Sequence, residues 1–239
     1  MKAEIIVKDV GKSFGEQKIL DGISFSVDRG QFVSIIGPNA CGKSTLLYLI
    51  QGFIGCSGGE MMTNSRTGFI FQDHNLFPWK TVRQNIELGP VNRGYPVHKT
   101  KNMTKRLLKE VNLLGFEDHF PHQLSGSMKQ RTGLARCLAN NPRILLMDEP
   151  FSSLDYLTRL KMHDFIIKLR KRRRLTILFV THDIDEAIKL SDKIVVLSKR
   201  PSKVLDVIDV TPNNGSRIKK HILGLLFLGQ ERTYLNRQG

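Results

Sequence analysis

The stretch GPNACGKST, residues 37–45, constrains this chain more than any other. It matches G-x-x-x-x-G-K-[ST], follows the apolar run Phe32–Ile36 and opens a helical pattern over Ser44–Gln51. Strand, glycine-rich loop and helix in that order are the context in which such a match becomes a phosphate-binding loop. Gly37 and Pro38 leave the strand, and the backbone N–H groups of Asn39, Ala40, Cys41, Gly42, Lys43 and Ser44 can converge on a β-phosphate at the helix N-terminus. Lys43 is expected to add charge across the β- and γ-phosphates, Ser44 a ligand to Mg2+, and Thr45 a hydroxyl for the α-phosphate. A glycine-rich turn that binds nothing is the plain alternative. The thiol of Cys41 has two readings: activated by the helix dipole and Lys43, or an inert spacer turned into the protein.

The rest of the chain builds a sheet around this loop. Strand-like runs lie at Ile5–Val10, Ile23–Val27, Phe32–Ile36, Gly68–Phe71, Ile144–Met147, Thr176–Val180 and Ile194–Ser198, with helical patterns at Ser44–Gln51, Leu154–Arg170 and Ile184–Leu190 between them. Strand alternating with helix predicts an α/β fold with a mainly parallel sheet. Between Asp73 and Asn140 the pattern turns wholly helical, clearest over Thr100–Leu114 and Met128–Leu138. One domain is therefore expected, with a core of residues 1–75 and 141–211, an inserted helical subdomain over 76–140, and a basic helical tail over 212–239. That tail is apolar on one side and basic on the other, fitting a packed terminal helix or a membrane-surface or partner-binding helix.

ILLMDEP, Ile144 to Pro150, brings Asp148 and Glu149 to the C-terminal end of a buried strand, where open α/β sheets bind ligands. Neighbouring side chains on a strand point to opposite faces, so the two acids are expected to take different tasks. Asp148 would hold Mg2+ through water, and Glu149 would orient and deprotonate an attacking water. Two acids that merely cap the next helix are the alternative.

The charge leaves a question open, since 37 Lys+Arg against 22 Asp+Glu gives +15. Nucleotide phosphates, an anionic membrane leaflet and nucleic acid all answer it. The densest run, RKRRR from Arg170 to Arg174, reads as a solvated helix end complementing its dipole. Three cysteines at no metal-ligand spacing suggest neither a disulfide framework nor a zinc site. No apolar run reaches the roughly 18 residues that cross a bilayer. The chain is expected in the cytosol, and a membrane role would need other subunits.

Three more stretches, FQD (Phe71–Asp73), SSLD (Ser152–Asp155) and THD (Thr181–Asp183), are each weak alone. In this order, with the phosphate loop before them and LSGSMKQR (Leu124–Arg131) between, the chain from about Ile5 to Val210 resembles the ATP-binding subunits of ABC transporters. The resemblance implies a P-loop cassette with an N-terminal antiparallel β portion and an inserted helical subdomain, working with ATP and Mg2+. In that family the LSGGQ stretch completes the ATP site of the other protomer in a head-to-tail dimer, a part that falls here to Ser125, Gly126 and Ser127. It also implies that Phe14 stacks on adenine, that Gln72 reaches Mg2+ and the attacking water, that His182 contacts the γ-phosphate, and that Asp155 lines the dimer interface. The family usually has glycine at Ser127 and tyrosine at Phe14; the added Cβ of Ser127 is expected to bear on the hydrolysis rate.

FQDHNLFPWKTVRQNIELG, DEPFSSLDYLTR and VLSKRPSKV are most similar to importers of nitrate, alkanesulfonates and taurine. That group implies integral membrane permease subunits, an extracytoplasmic solute-binding protein acting indirectly, and a place at the cytoplasmic face of the membrane. No nucleic acid is expected. A soluble ABC-type ATPase acting on nucleic acid or ribosomes is the rival reading, but such members carry long coiled coils or two cassettes in tandem. A P-loop kinase leaves LSGSMKQR unexplained.

Overall fold

The computed structural model describes residues 2–235, with side chains to Phe227. The chain opens with a long hairpin, β1 (Ala3–Phe14) and β2 (Gln17–Asp28), whose apolar residues alternate with exposed ones. It then enters β3 (Phe32–Ile36), buried along its length, and turns through the glycine-rich loop into α1 (Lys43–Gln51). β4 (Gly58–Thr63) returns antiparallel to β1, giving a three-stranded sheet in the order β2-β1-β4. β5 (Thr67–Ile70) follows, and then the helical insert: α2 (Val82–Asn92), α3 (Val97–Glu110) and α4 (Gly126–Leu138).

The chain re-enters the core as β6 (Ile144–Asp148), α5 (Tyr156–Arg173), β7 (Thr176–Val180), α6 (Ile184–Leu190), β8 (Lys193–Leu197) and β9 (Val204–Asp209), and ends in α7 (Gly215–Leu235). The second sheet runs β5-β6-β7-β3-β8-β9, parallel throughout except for β9. β3, β6 and β7 are buried at every position. A strand with both faces covered cannot alternate, which is why these three read as continuous apolar runs.

Three apolar clusters hold these layers together. One joins the sheet to α4, α5 and the insert, through residues such as Leu145, Phe179, Leu134 and Ile86. A second lies between the two sheets around α1, with Ile5, Leu46, Leu47 and Leu146. The third seats α6 and α7 on β3 and β8 through Ala187, Ile218 and Ile222. The tail thus packs as a terminal helix through its described side chains, with Lys219 paired to Asp185 at 2.6 Å. No helix of the described residues is long and apolar enough to cross a membrane.

The expected elements are present, with three additions. β4 is almost wholly exposed, so no burial pattern marks it in GGEMMT. β9 is an edge strand with one half-buried face. α2 carries Gly89 and Pro90, which read as breakers, yet it is fixed at its start by a reciprocal cap between Thr81 and Gln84. The basic run at the end of α5 differs from the expected solvated end. Arg170 donates to the Gly30 carbonyl at 2.9 Å and pairs with Asp192, and Arg173 grips Glu110 at 2.5 and 2.8 Å. These two cations lock the helix end against the sheet and the insert.

Candidate functional site

The glycine-rich loop is held from both sides by its own chain. Gly42 caps α1 with φ 112° and ψ 16°, and a Cβ there would stand 2.8 Å from Ile19 and 2.9 Å from Leu20. The loop therefore needs glycine at this turn for conformation and for space. Ala40 sits in the left-handed region at φ 58°. Its carbonyl accepts from Arg200 at 2.6 Å, and the Cys41 carbonyl accepts from the buried Ser202 hydroxyl. Arg200 and Ser202, from VLSKRPSKV, clamp the outer peptide of the loop. Sequence reasoning missed this role, because the stretch signals only likeness to a group and lies 160 residues along the chain.

Lys43 is buried and donates to the carbonyls of Gly37 and Pro38, both at 3.0 Å, so its ammonium lies across the mouth of the loop. Asn39 and Ala40 are exposed, and Ser44 and Thr45 occupy the partly exposed first turn of α1. The loop thus offers an ammonium and a helix N-terminus to an anion. The Cys41 side chain is buried at 1% exposure in the cluster between the sheets, and its Sγ lies 2.9 Å from where a Cβ on Gly37 would be. Of the two readings of this thiol, the structure bears out the one turned into the protein.

Opposite the loop, the Ser44 hydroxyl donates to Asp148 Oδ1 at 3.1 Å. Burial pushes the Asp148 carboxyl above its usual range, the Ser44 hydrogen bond pulls it back, and neighbouring Glu149 adds a smaller upward push. Glu149 turns away from Asp148, as expected, but for a different reason. β6 ends at Asp148, and Glu149 adopts a left-handed φ of 42° with its N–H bonded to the Val180 carbonyl at 3.0 Å. The kink, rather than strand alternation, aims its carboxylate at His182, whose Nδ1 lies 2.9 Å from Oε2. A non-glycine residue in this region stores strain of roughly 1–3 kcal/mol.

Behind His182 lies a buried polar network that sequence reasoning also missed. Thr181 Oγ1 donates to Glu186 Oε2 at 2.5 Å, and Glu186 Oε1 lies 2.6 Å from His163 Nε2 on α5. All three side chains are buried. His163 falls on the apolar face of α5 in the sequence, which gave no sign of a polar partner.

Gln72 is exposed just beyond β5, and among the described residues no hydrogen bond ties it to Ser44, Asp148 or Glu149. The segment after it is anchored to α4 instead, through His74 to Gln130 at 2.5 Å and Arg136 to the Asn75 carbonyl at 2.6 Å. Phe14 stands at the tip of the β1–β2 hairpin, about half exposed, with the Lys12 ammonium 4.8 Å over its ring. Asp155 is exposed and caps α5, Oδ1 accepting from Thr158 N–H at 3.0 Å.

Ser125 caps α4, accepting from the Met128 N–H at 3.3 Å, with the Ser127 hydroxyl 3.2 Å away. Ser125 and Gly126 are exposed, and no described hydrogen bond joins them to residues 37–45. A Cβ on Gly126 would meet only Leu154 at 3.4 Å, so packing within the chain scarcely demands glycine there. Ser127 and Met128 together replace the last two residues of the LSGGQ pattern.

A profile described as ABC transporter matches residues 20–152, more than half of the chain. The chain belongs to the ABC transporter family. An uncharacterized ABC transporter ATP-binding protein of Methanocaldococcus jannaschii is 38% identical over 222 residues, covering 88% of this chain and 83% of the relative. An aliphatic sulfonates import ATP-binding protein of Bacillus cereus is 40% identical over 217 residues, covering 86% and 85%. Among solved structures, an ATP-binding cassette described as dimeric, post-hydrolysis and bound to ADP and Pi has a TM-score of 0.76 at 32% identity, covering 87% of this chain and 99% of that one. The ABC cassette described here is accordingly an ATP-binding, ATP-hydrolysing transport subunit.

Proposed function

We propose that this cassette powers an importer of a small, anionic solute of the sulfonate, nitrate or taurine kind, as a head-to-tail homodimer seated on membrane permease subunits at the cytoplasmic face. The observation that carries the dimer is the exposed turn at Ser125. It is a helix N-terminus with free amides and a glycine its own chain does not require, facing no phosphate loop of its own. A second copy bringing residues 37–45 across the interface gives that turn a phosphate to meet. The sulfonate-import relatives support the solute class.

Within the shared site, Glu149 accepts the proton of the attacking water, and His182 holds its carboxylate before the γ-phosphate arrives and then turns to that phosphate. Phe14 stacks on adenine, and Asp155, besides capping α5, lies at the interface. Ser44 and Asp148 fit a hard divalent cation: two oxygens 3.1 Å apart, one on a carboxylate whose burial calls for a compensating charge. Mg2+ held there, with Gln72 as a further ligand, would offset the charge of the phosphate oxygens.

A groove of about 470 Å³ beside the insert, lined by Phe71, Phe77, Leu88, Arg93 and Arg136 among others, suits a short cytoplasmic helix of the permease. Trp79, 69% exposed, stands free of the core at the edge of this region, and Phe77 contributes its ring to the wall. Lys80 and Arg83 are half-buried, with Arg83 paired to Asp118, so Trp79 and Arg93 are the better probes of docking.

The test has two arms. Copurification with a multispanning permease, and uptake of a sulfonate lost on Trp79→Ala or Arg93→Ala while soluble ATPase persists, is the expected result. An active monomer whose specific activity is independent of concentration and unaffected by Ser125→Arg would overturn the shared site.

A further inference from the structure

The insert carries a second charged surface, which the ATP site does not use and the permease groove meets only at Arg93. From Leu88 to Lys109 there is no acidic residue, whereas Arg93, Lys99, Lys101, Lys105, Arg106 and Lys109 are all present. All six are exposed, and among the described residues none makes an ion pair or a side-chain hydrogen bond. The other charged faces are partly neutralised, as where Arg170 meets Asp192 and Arg173 meets Glu110.

The pattern follows from the helix. α3 buries Thr100, Thr104, Leu107 and Leu108, the one stripe that meets the rest of the insert. The stripe alongside it, at four-residue spacing, is Val97, Lys101, Lys105 and Lys109, all exposed. At the N-terminal end the stripe becomes apolar, with Val97 70% and Tyr95 44% exposed beside Val91 at 57%. Next to it a hollow of about 640 Å³ is walled by Lys99, Lys105 and Arg106 and has Tyr95 and Met103 in its lining. Cations around an aromatic and a thioether match a phosphodiester headgroup whose acyl end is apolar.

We infer that α3 and the turn before it form a docking surface for anionic phospholipid headgroups, with Tyr95 and Val97 entering the interfacial layer. Unpaired lysines beside exposed apolar residues are the composition that binds such a leaflet. Continuity supports the orientation: Arg93 lines the groove proposed to receive the permease, and Tyr95, in the same turn between α2 and α3, lines the hollow. A cassette seated by that groove presents its neighbouring residues to the same membrane. The inference rests on that reading for orientation only, and vesicle binding is measured without permease, so either can fail alone. A polyanion such as RNA would feel the same charge, but the exposed apolar residues beside the cations are mainly aliphatic and offer no set of rings for base stacking.

The experiment is cosedimentation of the full chain with vesicles of phosphatidylcholine alone, or with about 30% phosphatidylglycerol, at 0.1 and 0.5 M salt. Binding is expected only with the anionic lipid and should fall in high salt as screening tightens. Lys99→Gln, Lys101→Gln, Lys105→Gln and Arg106→Gln combined should lower partitioning at least tenfold, with ATPase and melting temperature kept. Tyr95→Ser with Val97→Ser should lower it several-fold without changing the charge. Removing four cations elsewhere, by Lys2→Gln, Arg29→Gln, Lys171→Gln and Arg172→Gln, should leave it nearly unchanged. Equal loss in both charge variants would make binding a matter of total charge and overturn the inference. So would no binding to either vesicle, or α3-dependent binding of single-stranded RNA without vesicle binding.

Discussion

Gly42→Ala isolates what the phosphate loop demands of its backbone. The residue holds φ 112°, where an L side chain is strained by roughly 1–3 kcal/mol. The new Cβ would also lie 2.8 Å from Ile19 and 2.9 Å from Leu20, both in the core between the two sheets. Displacing packed side chains adds roughly 1–3 kcal/mol. Together the two effects come to about 2–6 kcal/mol, a large share of the stability of an ordinary domain. Gly15→Ala is the matched control, because Gly15 holds φ 56° with nothing within 4 Å of its Cβ position. It carries strain alone, at about 1 kcal/mol, or about 2–4 °C in a domain of this size. Thermal unfolding of both variants, with ATP titrated into each, should show Gly42→Ala shifted at least twice as far and its ATP affinity lost. Equal shifts, or normal ATP affinity in Gly42→Ala, would refute the argument that packing against β2 shapes the loop.

Glu149→Gln should lower steady-state hydrolysis by about a hundred to ten thousandfold while ATP still binds and traps a dimer, since the amide keeps the acid's shape but takes no proton; near wild-type turnover would move the base elsewhere, with His182 next to test. Alkylation of the native protein should label the exposed Cys56 and spare Cys41 and Cys137, the latter pushed up to about 12 by burial, which leaves about one thiolate in ten thousand at pH 8; rapid labelling of Cys41 that ATP prevents would contradict its inward sulfur. Arg173 holds the Glu110 carboxyl below its ordinary value. A depressed acid contributes stability above its unfolded value of about 4.3 and loses it as pH falls through the folded one. Arg173→Gln should therefore cost about 0.5–1 kcal/mol at neutral pH, a gap that closes below about pH 4 in urea melts; a gap constant with pH would mean that packing, and not the ion pair, is lost.

The features legible in the sequence are those where local chemistry and position along the chain coincide. GPNACGKST carries its glycines, its lysine and its helix start within nine residues, and the strand before it is marked by burial on both faces. Asp148 and Glu149 announce themselves because two acids at the end of ILLM have few structural uses. The clamp on the loop was not legible, because Arg200 and Ser202 act on carbonyls of Ala40 and Cys41, which carry no side-chain signal for such a partner. The same holds for His163, one polar residue on a buried face, whose partner Glu186 looks in sequence like an ordinary first-turn acid of α6. Even where the outcome was foreseen the cause could differ, since Glu149 parts from Asp148 through a left-handed kink that no composition rule predicts.

Ser127 and Met128 show how much of this cassette's chemistry depends on what faces it. Inside the chain the turn is complete: Ser125 Oγ already accepts from the Met128 N–H, so the cap needs nothing from residue 127 beyond a backbone. The Ser127 hydroxyl, 3.2 Å from Ser125 Oγ, is therefore left to compete for the cap or to face a γ-phosphate from a second copy. If it competes for the cap, Ser127→Gly should stabilise or leave unchanged the isolated protein and leave hydrolysis alone. If it faces the phosphate, the same change should move kcat by several-fold with no effect on the melting temperature of the monomer. The second outcome is expected, because the cap is already made by Ser125 alone and Ser127 is not buried by its own chain. Steady-state kinetics at saturating ATP, set beside thermal melts without nucleotide, separates the two; a melting shift without a kinetic one would return Ser127 to the fold.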